Sequence, residues 1–88
     1  MNDIRVTSVE SLVDILRRQG GRGGFFVQLN GGARSVKRIR YDPRKAVFHV
    51  TNEIDGSKQV LTARQLMDPR HTHIGPAIKA GAFYNQED

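Results

Sequence analysis

The sequence predicts one small α+β domain, in which an N-terminal helix is followed by a four-stranded antiparallel meander and short C-terminal helical turns. Three observations carry this expectation. An apolar stripe of helical period runs from Val9 to Leu16, four β-favouring runs separated by turn-forming residues come next, and two short capped segments follow Thr62. At 88 residues the chain fits a single domain over residues 1–88, since domains run from about 50 to 250 residues, and no repeat or linker divides it. The expected architecture is a curved sheet or a partly open, SH3-like barrel, a likeness of strand order that carries no function by itself.

Ser8 to Gln19 spaces Val9, Leu12, Val13 and Leu16 by three and four residues, and Ile15 widens the stripe, as expected of a helix buried on one side. Thr7 with Glu10 has the T-x-x-E form of a capping box, and Ser8 is an alternative cap. Arg17 and Arg18 complement the helix dipole in the last turn, and Gly20-Gly21 stops the helix. Phe25 to Leu29 then reads as a strand closed by the turn Asn30-Gly31-Gly32. In the next run, Ser35 to Tyr41, Ile39 and Tyr41 share one face and Arg38 and Arg40 the other. Val36 is out of phase, which predicts a bulge or a strand partly buried on both faces. Asp42-Pro43-Arg44-Lys45 is a turn, and Ala46 to Thr51 places Ala46, Phe48 and Val50 inward with His49 outward. Asp55-Gly56 turns the chain into a last strand, Lys58 to Leu61. Thr62 and Gln65 form a T-x-x-Q capping box for a helical turn ended by Asp68-Pro69. A second turn has Pro76 at its first helical position and closes at Gly81, burying Ile74, Ala77 and Ile78. Phe83 and Tyr84 anchor the end, with Asn85 to Asp88 expected as a disordered polar tail.

The formal charge of +5 is unevenly placed. Residues 17–45 hold nine Lys and Arg against Asp42 alone, a net of +8, while residues 1–16 carry −2 and residues 46–88 carry −1. The basicity therefore belongs to the helix exit, the glycine-rich loop and the first hairpin. Seven of those nine cations are Arg, whose planar guanidinium can hold a phosphate with two hydrogen bonds. Arg22, Arg34, Lys37, Arg38, Arg40, Arg44 and Lys45 are accordingly the candidate nucleic-acid-binding residues, for DNA or RNA. The competing explanation is a solvated face whose arginines pair with Asp42 or with Asp3, Asp14 and Glu53. Aromatic platforms for stacking bases are scarce, since only Phe25, Phe26 and Tyr41 lie in the basic region, and consecutive phenylalanines on a strand point to opposite faces.

Several classes are excluded or left without support. The chain has no Cys, hence no disulfide, no thiolate nucleophile and no cysteine metal site. No apolar run reaches the roughly 18 residues of a membrane span, and the first ten residues lack signal-peptide character, so a cytoplasmic protein without membrane association is expected. The Gly-Gly-Arg-Gly-Gly stretch follows a helix and precedes a strand, the reverse of a phosphate-cradling loop, and has no Gly-Lys-Ser/Thr ending. His71-Thr72-His73 lacks a third metal ligand at a diagnostic spacing, and Gly-x-Ser-x-Gly is absent. No cofactor, metal or catalytic residue is assigned. Only a pocket bringing His49, His71 or His73 beside a carboxylate would reopen an enzymatic role.

The expectation is thus a non-enzymatic basic binding module that contacts nucleic-acid phosphates with low selectivity. Its alternative is a protein-interaction adaptor or regulatory subunit, binding an acidic partner or self-associating through the weakly charged segment Ile74 to Tyr84 if Phe83 and Tyr84 are exposed.

Overall fold

The computed structural model describes residues 2–19, 24–28 and 34–87. In chain order these form β1 (Asn2–Arg5), α1 (Val9–Gln19), β2 (Phe25–Gln28), β3 (Arg34–Asp42), β4 (Val47–Asn52), β5 (Lys58–Thr62), α2 (Ala63–Met67), α3 (Ile74–Lys79) and β6 (Phe83–Glu87). The α+β class and the antiparallel sheet are as expected, and β2 to β5 are the predicted meander. Two further strands extend it. The sheet order is β1-β6-β2-β3-β4-β5 with every neighbouring pair antiparallel. It is an open six-stranded sheet edged by β1 and β5, where four strands in a curved sheet or a partly open, SH3-like barrel were expected.

The C-terminal residues explain the difference. Phe83 and Tyr84 are 0% and 1% exposed, because β6 inserts between β1 and β2, pairing Phe83 with Val27 and Tyr84 with both Phe26 and Arg5. They are centre-sheet residues, so the expected partner surface at Phe83 and Tyr84 does not exist as an exposed patch. Asn85 to Glu87 continue the strand in place of the predicted disordered tail, while Asp88 lies outside the described residues. Asn85 is itself buried and donates its side-chain amide to the Gly24 carbonyl at 2.9 Å, which offsets the cost of removing that group from water.

Helix α1 starts as the apolar stripe predicts, and its cap is Ser8. The Ser8 hydroxyl accepts the Ser11 N–H at 3.1 Å, and the Ser11 hydroxyl accepts the Ser8 N–H at 3.2 Å. This reciprocal pair decides between the two caps the sequence offered, in favour of Ser8 over Thr7 with Glu10. Leu12, Ile15 and Leu16 join Phe25, Ile39, Phe48, Leu61 and Ile78 in one core, each full burial contributing about 1.5–3 kcal/mol. At α2 the predicted capping box is present, with the Thr62 hydroxyl accepting from the Gln65 N–H and the Gln65 side-chain Oε1 accepting from the Thr62 N–H. Helix α3 buries Ile74, Gly75, Ala77 and Ile78 and ends before Gly81, whose φ of 70° suits a residue without Cβ.

Register through β3 is unbroken from Lys37↔Asn52 to Asp42↔Val47, so the out-of-phase Val36, half-buried on the outward face, marks a strand partly buried on both faces and no bulge. Ser35, Lys37, Ile39 and Tyr41 point toward the core; Val36, Arg38 and Arg40 point outward, where Val36 lies beside Gly24. Ala46, expected inward with Phe48, is instead the exposed last residue of the turn, held at φ 54° because strand β4 begins only at Val47.

Candidate nucleic-acid interface

Strand alternation and register determine which cations meet. Across β3, β4 and β5 the outward rows are Arg38, Thr51 and Lys58, then Arg40, His49 and Val60. Cross-strand neighbours stand about 4.5–5.5 Å apart at Cβ, so five polar or basic side chains crowd one patch. A groove of about 390 Å³ runs over it, bordered by Arg38, Arg40, His49, Thr51 and Lys58. A second hollow of about 430 Å³ adjoins it, shares Arg40 and His49, and adds Leu16 and Arg17 from the end of α1. Arg17, Arg40 and Lys58 therefore border adjoining hollows built by four elements, α1, β3, β4 and β5.

The cations on it are not equivalent. Arg38 Nε lies 2.6 Å from Glu53 Oε1, so this guanidinium is partly neutralised, as the competing explanation required. Arg18 is likewise paired with Asp14 at 3.1 Å, one helical turn earlier. Among the described residues, Arg17, Arg40, Arg44, Lys45 and Lys58 have no carboxylate within 4.0 Å. Arg44 and Lys45 sit in the β3–β4 turn just beyond Asp42, whose Oδ1 accepts their backbone N–H groups at 3.0 and 3.4 Å. Asp42 thus organises the turn and leaves both side chains free to reach an anion.

Of the predicted residues, Arg38, Arg40, Arg44 and Lys45 fall on or beside the patch. Lys37 does not, because the same alternation sends it to the opposite face, next to Phe25. Arg34 opens β3, but its side chain, and Arg22 altogether, lie outside the described residues. Arg17 and Lys58 were not among the predicted set; Lys58 comes to Arg38 only through the β4–β5 register. The aromatic residues are occupied within the fold. Phe25 stacks on Phe83 at 5.2 Å, Phe26 on Tyr84 at 5.6 Å beneath the Arg5 guanidinium, and Tyr41 leans on Phe48 at 4.8 Å. The patch offers charge without a stacking platform among the described residues.

The histidines give a second cluster away from this face. His71 Nδ1 lies 3.4 Å from Asp68 Oδ2, the juxtaposition that would reopen an enzymatic role. The same carboxylate receives Arg70 Nη2 at 3.1 Å and the Arg70 N–H at 2.9 Å, and the arginine holds its pKa down to about 2. Asp68 is therefore committed to its turn, and among the described residues no hydroxyl hydrogen-bonds His71. No group of three His, Asp or Glu residues capable of holding a metal gathers among the described residues, and no helix there is long and apolar enough to cross a membrane. No protein-family model, curated protein or solved structure matches the chain.

Proposed function

We propose that this chain is a low-selectivity nucleic-acid-binding module whose contact surface is the outward face of β3 to β5 together with the end of α1. One observation carries the reading: Arg40, free of carboxylates among the described residues, joins two hollows that also collect Arg17 and Lys58. Lys and Arg outnumber the one carboxylate, Asp42, that borders the two hollows; a concave surface of net positive charge attracts polyanions, and phosphate contacts alone supply affinity without sequence choice. With Arg38 held by Glu53, about three phosphates are neutralised, giving a slope of log affinity against log salt of about −2.7 on duplex DNA and about −2.1 on a single strand. Fluorescence anisotropy across a salt series tests this, with Arg40→Gln expected to flatten the slope by about 0.9. A salt-independent affinity, or no binding to either form at low salt, overturns the proposal.

A second reading is supported by Val60, which is 60% exposed in the same row as Arg40 and His49. An apolar side chain among cations suits an acidic protein surface as well as a phosphate backbone. Val60→Ser separates the two, since it weakens a protein contact and leaves the salt slope on nucleic acid unchanged.

A further inference from the structure

The inward face of β3 carries an anomaly that the basic patch does not use. Ile39, Phe48, Val50, Phe25 and Val27 line this side of the sheet with apolar atoms, yet β3 places Ser35 and Lys37 there in succession. Ser35 is 6% exposed and Lys37 half-buried. Among the described residues neither side chain has a hydrogen-bond or ion-pair partner within the protein. Neither group is sealed from solvent, and both are open to the space beside them, where a ligand can take the place of water. Both border a cavity of about 260 Å³ whose far wall is His71, Thr72, His73 and Ile74, and whose apolar side is Val27. The wall is held in place: Gln59 Nε2 donates to the His71 carbonyl at 3.4 Å, tying β5 to the α2–α3 connection, and Thr72 Oγ1 accepts the Ile74 N–H at 3.2 Å.

We propose that this cavity binds a small organic carboxylate, with the Lys37 ammonium and Ser35 hydroxyl holding the anionic end and Val27 and Ile74 contacting the apolar end. The volume lies just below the roughly 300–1,000 Å³ of pockets for drug-sized ligands, which selects a compact molecule. Lys37 is the one Lys or Arg bordering the cavity among the described residues, which suits a ligand with a single negative charge. The charged groups nearby are Asp55, which feels the Lys37 charge, and Asp68, which is engaged by Arg70; neither lines the cavity. The site lies on the face opposite Arg38 and Arg40 and does not rest on the nucleic-acid reading.

The test is a titration of the full chain followed by ¹H–¹⁵N correlation spectra, with benzoate as the probe. Benzyl alcohol supplies the same ring without the charge, and inorganic phosphate supplies charge without the ring. Benzoate is expected to shift the amides of Ser35, Lys37, Gln59 and His71 to Ile74 saturably, with both controls at least about tenfold weaker at these amides, benzyl alcohol for want of a charged hydrogen bond and phosphate for want of apolar contact. Lys37→Met should weaken benzoate by a similar factor, whereas Arg40→Gln should leave it unchanged. Ser35→Ala, which keeps the charge and the core shape, should weaken it less and serves if Lys37→Met does not fold. Benzoate shifts centred on Arg40 and His49, phosphate binding as tightly as benzoate, or full benzoate affinity in Lys37→Met or Ser35→Ala overturns the proposal.

Discussion

Replacing Glu53 with Gln is expected to strengthen nucleic-acid binding. Glu53 is the only described carboxylate within 4.0 Å of Arg38, at 2.6 Å, and Gln keeps the shape while removing the charge. The pair is exposed, 59% on the arginine side chain and 40% on the glutamate, so its share of folding stability is at most about 1 kcal/mol. The effect on binding is larger because a fourth cation becomes available to phosphate. The salt slope on duplex DNA should steepen by about 0.9, from about −2.7 to about −3.6. If that contact gains nothing at 1 M salt, the same relation gives about a fifteenfold gain in affinity at 50 mM and about fourfold at 200 mM. Anisotropy titrations of a labelled duplex over this range, with thermal unfolding as a control, make the measurement. Arg38→Gln alone should cost less than Arg40→Gln, and Arg38→Gln combined with Glu53→Gln should lose the gain. A folded Glu53→Gln variant with unchanged slope and affinity would refute the placing of Arg38 on the contact surface.

Three further outcomes follow from the packing. A Cβ on Gly75 would lie 2.5 Å from the Met67 Cα and 2.7 Å from its carbonyl oxygen, so Gly75→Ala must move α3 about 1 Å off α2, costing about 3 kcal/mol and lowering Tm by about 12–24 °C. Gly81→Ala is its control: φ is +70° with nothing within 4 Å of the added Cβ, so only the backbone penalty of about 1–2 kcal/mol is expected, and equal losses in the two variants would contradict the steric account. Ala46→Gly relieves a left-handed φ of 54° and should stabilise the fold by about 1 kcal/mol in urea unfolding without altering nucleic-acid affinity. Asp68 has its pKa lowered from 3.8 to about 2, chiefly by hydrogen bonds from Arg70. Its folded pKa lies below its unfolded value, so its stabilisation is present above about pH 4 and lost as pH falls toward 2; Asp68→Asn should flatten the acid limb of a Tm-against-pH curve there and leave stability above pH 6 free of pH dependence from this group.

The fold was legible wherever a local rule fixes a local structure. The α1 stripe, the Thr62–Gln65 capping box and the β3–β4 and β4–β5 turns each depend on residues within one or two helical turns of one another. The start of α3 was placed too late, since the helix begins at Ile74 and Pro76 is its third residue where the first was expected. The strands β1 and β6 were not legible for the opposite reason. Asn2 to Arg5 and Phe83 to Glu87 become strands by pairing across some eighty residues, Asn2 with Glu87 and Arg5 with Tyr84. Nothing in Tyr84-Asn85-Gln86-Glu87 has local strand patterning, and a buried Asn85 satisfied by Gly24 looks from sequence like any polar tail. Long-range pairing overrode composition here.

The candidate site shows why a linear charge count locates a surface only in part. The +8 in residues 17–45 contains Lys37, Arg38 and Arg40, which a two-residue period must divide between faces. That division was readable from Ile39 alone, and it sends Lys37 to a cavity with Ser35 while Arg38 and Arg40 face solvent. What no count of adjacent residues could supply is the transverse direction. Lys58 lies twenty residues after Arg38 but in the same row, through Thr51, and Arg17 arrives from a helix that ends beside Tyr41. Glu53 acts in the same direction with the opposite sign, following β4 back to within 2.6 Å of Arg38. The usable charge on the patch is therefore set by register: it gains Lys58 and Arg17, gives up Lys37, and has Arg38 in reserve behind one carboxylate.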